Sequence, residues 1–115
     1  MSGNDEIATA RLTALRAATQ RRIAALRDGF EGIVEATSDV ATDDEHDPEG
    51  HTIAWERQQI AALLDEARTT LSDVEAALGR LDDGTYGDCA TCARPIAPAR
   101  LEALPAATHC VACAR

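Results

Sequence analysis

The chain has 115 residues, enough for one domain or one domain with an appendage. Its 20 acidic and 11 basic residues give a formal net charge of -9, and every basic residue is arginine. This balance argues against direct binding to a nucleic-acid backbone, which calls for a basic patch. With one Phe, one Trp and one Tyr, a large aromatic core is excluded, and the abundant Ala and Leu favour helices.

The N-terminal segment shows no targeting signal. Residues Met1 to Glu6 contain no basic region and no apolar stretch, so they do not resemble a secretory signal peptide. No uncharged run approaches the roughly 18 residues that a membrane-spanning helix needs. We therefore expect a cytoplasmic protein with no membrane association.

The first predicted helix runs from about Asp5 to Thr37. Asn4 is a suitable N-cap, and Asp5 and Glu6 follow it at the positive end of the helix dipole. Apolar or small residues recur at steps of three and four, which is the spacing of one buried helix face. This stripe comprises Leu12, Leu15, Thr19, Ile23, Leu26, Phe30 and Ile33.

The second predicted helix runs from about Ile53 to Leu81. Its apolar residues alternate steps of four and three without a break, which is a heptad pattern. They are Ile60, Leu64, Ala67, Leu71, Val74, Leu78 and Leu81. Gly84 is a good C-terminal cap. Trp55 lies off this stripe and is expected to pack under the preceding loop; a partner contact is the alternative.

A polar segment from Ser38 to His51 separates the two helical patterns. Its six acidic residues, with no arginine or lysine among them, are Asp39, Asp43, Asp44, Glu45, Asp47 and Glu49. Helices of similar length around one loop predict an antiparallel hairpin, about 40–45 Å long at 1.5 Å per residue. Its register brings Leu12 and Leu15 near Val74 and Leu78. The acidic loop at its tip is either a merely solvated loop or a surface that acts on a partner.

Four cysteines close the chain as two Cys-x-x-Cys pairs. Cys89 and Cys92 are separated from Cys110 and Cys113 by 17 residues, a spacing typical of a tetrahedral zinc site. A disulfide scaffold is the alternative, but the cysteines lie in the last 27 residues and cannot staple the rest of the chain. His109, beside Cys110, is expected to be a polar neighbour of the site, with a role as substitute ligand as the alternative. We expect one structural zinc ion per chain, held by the four thiolates.

These elements predict a mainly α fold. Residues 1–83 form a long antiparallel two-helix coiled-coil hairpin with an acidic tip loop at 38–51. Residues 84–115 form a small four-cysteine zinc finger module. A four-thiolate site has no open coordination position, so we expect no zinc enzyme. We expect a monomer, while either apolar stripe leaves pairing between chains open.

The module also carries a distinctive set of residues. It reads Gly84-Thr85-Tyr86-Gly87-Asp88-Cys89-Ala90-Thr91-Cys92, and later Arg100-Leu101-Glu102-Ala103 with Pro105. Over about residues 78–113 this resembles the DksA/TraR family of bacterial transcription factors; elsewhere the likeness is one of architecture. Two departures stand out. Ala93 replaces a usual glycine, so its turn is expected to be slightly strained. The sequence given ends at Arg115, so we expect no counterpart of the C-terminal helix of longer members.

The resemblance implies a function. In that family the zinc module docks on RNA polymerase, the coiled coil enters the secondary channel, and acidic tip residues approach the active site without DNA binding. Asp44 and Asp47 match both acids of the family's Asp-x-x-Asp-x-Ala tip, and Glu49 stands where the alanine belongs. The resemblance therefore implies a transcription regulator with Asp44, Asp47 and Glu49 at its partner-binding tip. The alternative, favoured by Glu49, is a structural or adaptor zinc protein of the same fold.

Overall fold

The computed structural model describes the backbone of residues 3–38 and 48–114, and the side chains of 4–32 and 52–114. Three helices lie in these ranges: α1 (Gly3–Ser38), α2 (Pro48–Asp83) and α3 (Pro98–Ala103). The same ranges contain no extended strand, only an isolated antiparallel bridge between Asp88 and Pro95. The predicted mainly α fold, with two long helices followed by a small cysteine module, is confirmed.

Both long helices extend beyond their predicted ends. The larger difference is at the start of α2, which begins at Pro48 and not near Ile53. Proline suits the first helical position because its φ is already helical and its missing N–H has no intrahelical partner there. The backbone of Glu49 therefore belongs to the first turn of α2.

The end of α2 is closed by a glycine cap, as predicted. Gly84 has a φ of 78°, in the left-handed region that glycine adopts without a steric penalty. The amide of Thr85 donates to the carbonyl of Arg80 at 2.9 Å, and the amide of Gly84 donates to Leu81 at 3.3 Å. This is the Schellman pattern, which pairs the last helical carbonyls and turns the chain away from the helix axis.

The chain divides into two compact units. We call Met1–Ala18 with Thr70–Arg115 the cysteine unit, and Thr19–Thr69 the helical unit. Each long helix contributes residues to both units. The predicted boundary at Asp83 is a finer division, between hairpin and module, and stays a prediction.

In the cysteine unit, the start of α1 packs antiparallel against the end of α2. Leu12, Val74 and Ala77 are completely buried. The apolar side chains packed around them are those of Leu15, Leu78, Leu81, Tyr86 and Ala106. The predicted register of Leu12 and Leu15 near Val74 and Leu78 is confirmed, and Tyr86 and Ala106 extend this core into the cysteine module.

In the helical unit, the apolar side chains are less deeply buried. Among the described side chains of this unit, the buried ones are the small Thr19 and Ala67, at 6% and 4% exposure. Phe30 is half-buried, and the guanidinium of Arg57 lies 5.4 Å from the centre of its ring, a cation–π distance. Trp55 is 60% exposed, so the expectation that it packs is wrong. Its position off the heptad stripe turns it away from the partner helix.

None of the helices in the described ranges combines the length and the hydropathy needed to cross a membrane.

Candidate metal centre

The first cysteine pair lies on a tight turn held by backbone hydrogen bonds. The amide of Cys89 donates to the carbonyl of Arg94 at 2.9 Å, and the amide of Ala93 donates back to Cys89 at 3.0 Å. Beside them, the amide of Ile96 donates to Gly87 at 2.7 Å. Ile96 is 3% exposed, so it anchors this turn in the cysteine unit.

The turn contains a strained residue at the predicted position. Ala93 has a φ of 63° and is the one non-glycine residue with a positive φ in the described ranges. An L-residue in this region costs about 1–2 kcal/mol because its Cβ approaches the backbone carbonyl. The expectation of strain where the chain has alanine in place of glycine is confirmed.

The second cysteine pair forms a similar turn. The amides of Cys113 and Ala114 donate to the carbonyl of Cys110 at 3.1 and 2.9 Å. Two contacts hold this turn beside the first. The amide of Ala90 donates to Thr108 at 2.8 Å, and the Arg100 Nε, on α3, donates to the carbonyl of His109 at 2.8 Å.

The four sulfurs converge on one point. The Sγ atoms of Cys89, Cys92, Cys110 and Cys113 all lie within 4.8 Å of one another. The Sγ atoms of Cys92 and Cys110 are 3.8 Å apart, and all four cysteines are free thiols. A zinc ion bound tetrahedrally at about 2.3 Å from each sulfur places the sulfurs about 3.8 Å apart, so the cluster has the right size for zinc.

The thiols of the cluster differ in acidity. Backbone hydrogen bonds from Cys92 and then Cys110 lower the pKa of Cys89 to about 5. Hydrogen bonds with the neighbouring sulfurs, Cys110 first and then Cys89, raise the pKa of Cys113 to about 12. Four thiolates at this separation repel one another. A bound divalent cation offsets this repulsion with its positive charge, so that each coordinating thiol stays deprotonated.

His109, the alternative ligand, is placed differently. Within the described residues, the side chains that converge for metal binding are the four cysteines and do not include His109. The His109 Nδ1 lies 2.8 Å from the Thr108 hydroxyl. The imidazole is a polar neighbour of the site, as the sequence favoured.

The predicted tip residues fall largely outside the structure. Asp44 and Asp47 lie outside the described residues. The backbone of Glu49 is in α2, and its side chain lies outside the described ones. Their role at a partner-binding tip stays a prediction.

The contacts that attach the module to the helices could not be predicted from the sequence. The Tyr86 hydroxyl donates to the carbonyl of Pro105 at 2.7 Å, and burial raises the pKa of this phenol. Arg80 of α2 reaches the carbonyl of Ala106 at 3.5 Å. Helix α3 was also missed, because six residues are too few to show a helical period.

Comparison with known proteins defines the class of the site. Residues 84–115 match the family described as "Prokaryotic dksA/traR C4-type zinc finger". That range contains all four cysteines, whose geometry fits one structural Zn²⁺. The module is a four-cysteine zinc finger.

Relatives extend the match beyond the module. The chain is 47% identical over 47 residues to the RNA polymerase-binding transcription factor DksA of Caulobacter vibrioides, covering 41% of this chain and 33% of that one. It is 40% identical over 65 residues to the uncharacterized protein YteA of Bacillus subtilis, covering 56% and 27%. These matches span a third or less of the curated relatives' length.

A solved structure shares the architecture. The transcription factor DksA2 from Pseudomonas aeruginosa aligns with a TM-score of 0.54 and 27% identity, over 90% of this chain and 79% of that one. Residues 84–115 therefore form a zinc finger module of the DksA/TraR type, and the architecture of the chain is similar to that of a DksA-type transcription factor.

Proposed function

We propose that this protein is a bacterial transcription regulator that binds RNA polymerase and reaches into its secondary channel with the loop between α1 and α2. The observation that carries the proposal is a four-cysteine module joined to two long helices, together with 47% identity over 47 residues to an RNA polymerase-binding relative. We propose that the protein acts in the cytoplasm, where thiols stay reduced, and that it is a monomer.

Zinc has a structural role in this proposal. Cys89, Cys92, Cys110 and Cys113 would hold the ion, which ties the two cysteine turns together and supplies folding free energy to the module. A site closed by four sulfurs leaves no position for a substrate or an activated water. The Caulobacter vibrioides relative and the Pseudomonas aeruginosa structure are both transcription factors, in keeping with a function that is not enzymatic.

The charge distribution supports a basic partner surface for the helical unit. Residues 19–69 contain 12 acidic and five basic residues, whereas the cysteine unit contains eight acidic and six basic residues. A strongly acidic segment is attracted to a positively charged channel and repelled by nucleic acid. Direct DNA binding is therefore not part of the proposal.

The tip carboxylates are the proposed effectors. Asp44 and Asp47 would act by charge on the magnesium, the nucleotide or basic side chains near the polymerase active site. Glu49 adds a further negative charge where the family has alanine. Its bulk and charge favour a second candidate function, that of an adaptor with the same fold that docks on a partner and leaves transcription unchanged.

A competition assay for binding to RNA polymerase core enzyme tests the proposal. The zinc-loaded chain is expected to displace a labelled DksA-type factor from the enzyme at micromolar concentrations. The matched control is the same chain with Cys110→Ser and Cys113→Ser, which cannot assemble the zinc site. Failure of the intact chain to bind would overturn the polymerase proposal and leave the adaptor function.

A further inference from the structure

The cysteine unit has an open groove that the metal site does not use. The groove has a volume of about 390 Å³ and lies between the start of α1 and the cysteine module. Its apolar lining includes Ile7 and Ala8 of α1 and Tyr86, Ile96 and Leu101 of the module. Ala8 and Ile96 form a buried floor, whereas Ile7 is 50% exposed.

Ile7 is far more exposed than the apolar residues beside it on α1. Its helical neighbours Ala8 and Leu12 are 5% and 0% exposed, so the stripe of α1 is otherwise well covered here. An aliphatic side chain that is half exposed beside a concave apolar surface leaves area that a partner can bury. Such a residue is a suitable centre for an interface.

The rim of the groove is acidic. Three carboxylates line it, those of Asp5, Asp88 and Glu102, against the single guanidinium of Arg11. Asp88 and Glu102 are exposed. Asp5 and Arg11 lie close enough to Tyr86 for their charges to shift the pKa of its phenol in opposite directions. The surplus of negative charge therefore surrounds the apolar floor.

We propose that this groove is a docking site for a segment of RNA polymerase that presents one or two apolar side chains flanked by lysine or arginine. The inference rests on the proposed function. The apolar group would cover Ile7 and the floor over Ile96, while the flanking cations would meet Asp88 and Glu102. Charge complementarity selects this occupant, because a nucleic acid or a second copy of this acidic chain would be repelled.

The apolar surface and the acidic rim of the groove contribute differently to binding. Burial of Ile7 supplies affinity and slows dissociation, since desolvated apolar contacts dominate interface energies. The exposed carboxylates chiefly raise the association rate and its dependence on salt. Docking here would anchor the cysteine unit independently of any action of the tip carboxylates.

The experiment measures binding of the full zinc-loaded chain to RNA polymerase core enzyme for matched variants. Ile7→Gln removes the apolar contact without adding charge and is expected to weaken binding roughly tenfold, as for an energetically important interface residue. Leu104→Gln is its control, because Leu104 is 52% exposed in the same unit and lies outside the groove. This control should bind within about twofold of the original chain.

A second pair of variants tests the rim. Asp88→Asn with Glu102→Gln is expected to lower the association rate about threefold or more at low salt, with little effect at high salt. These exposed substitutions do not touch the buried floor, so zinc content and helicity should be unchanged. Equal binding by the Ile7, rim and Leu104 variants would overturn the inference while the proposed function stands. An original chain that does not bind polymerase would overturn both.

Discussion

The cysteine unit and the helical unit use the same two helices in different ways. In the cysteine unit, Leu12 and Val74 are fully buried and the module adds hydrogen bonds and a metal site. In the helical unit, the buried residues among the described side chains are the small Thr19 and Ala67, and acidic residues outnumber basic ones by 12 to five. Folding free energy is therefore concentrated in the cysteine unit, while the helical unit carries most of the net negative charge.

The largest expected effect comes from breaking the metal site. Cys110→Ser should abolish stoichiometric zinc binding and unfold most of the region after Asp83, because structural zinc supplies about 10–16 kcal/mol of binding free energy in small modules. Much of the helicity should remain, since α1 and α2 also pack against each other. Elemental analysis and circular dichroism measure the two quantities. Thr91→Ala, in an exposed turn position between the first two cysteines, is the control and should retain one zinc per chain.

A zinc-free preparation made without chelator, with a cooperatively folded module, would contradict this prediction. So would a disulfide between any two of the four cysteines in freshly reduced protein.

The second effect compares the two helix interfaces directly. Leu12→Ala leaves a cavity at a fully buried position and should lower the free energy of unfolding by about 3 kcal/mol. Leu26→Ala makes the same change at a half-buried position of the helical unit and should cost about 1–1.5 kcal/mol. Urea unfolding of zinc-loaded protein gives both values. Equal losses would show that the two units are equally well packed.

The third effect concerns the contact between Tyr86 and Pro105. Tyr86→Phe removes its hydroxyl donor and should cost about 1 kcal/mol at neutral pH. Burial raises the phenol pKa above its ordinary 10.0, so the folded protein holds this proton more tightly than the unfolded chain. The resulting stability is fully present below pH 10 and is lost as pH rises through the folded-state pKa.

The chain has one tyrosine and no lysine, and comparison with Tyr86→Phe separates the phenol from the cysteine thiols, which also titrate at alkaline pH. Stability measured against pH should fall less steeply above pH 10 in Tyr86→Phe than in the original chain. Identical slopes in the two proteins would show that the phenol is not a distinct contributor.

The smallest expected effect is an increase in stability. Ala93→Gly relieves the positive φ at this turn and should raise stability by about 0.5–1 kcal/mol, after the entropy lost by glycine on folding. Ala90→Gly is the control. Ala90 has no positive φ to relieve, so this substitution only increases the conformational entropy that the chain loses on folding. A thermal melt of zinc-loaded protein should show opposite shifts. A lower midpoint for Ala93→Gly would mean that the alanine is not strained.

Much of the cysteine unit was predictable because its signals are local or periodic. Heptad spacing located Leu12 and Val74, the cap position of Gly84 marked the end of α2, and the paired cysteines predicted the metal cluster. The buried Ala8 and Ala77 escaped notice, since alanine is common on every face of a helix. The Tyr86 to Pro105 bond joins residues 19 apart through a tertiary contact that no spacing encodes.

The helical unit was harder to predict in detail. Pro48 lies within the predicted loop segment Ser38 to His51 but stands at the first position of α2, where its fixed φ helps. Trp55 was expected to pack because large aromatic side chains usually do, yet it is 60% exposed. Asp44 and Asp47 lie outside the described residues, so their role depends on functional measurements.

The most direct test measures polymerase binding and the effect on transcription for the same variant. The double variant Asp44→Asn, Asp47→Asn is compared with the original chain for polymerase binding and for transcription from a promoter with a short-lived open complex. The account predicts that binding stays within about twofold while the transcriptional effect is lost, because docking rests on the cysteine unit and action on the charge of the tip. An unchanged transcriptional effect in the double variant would contradict it.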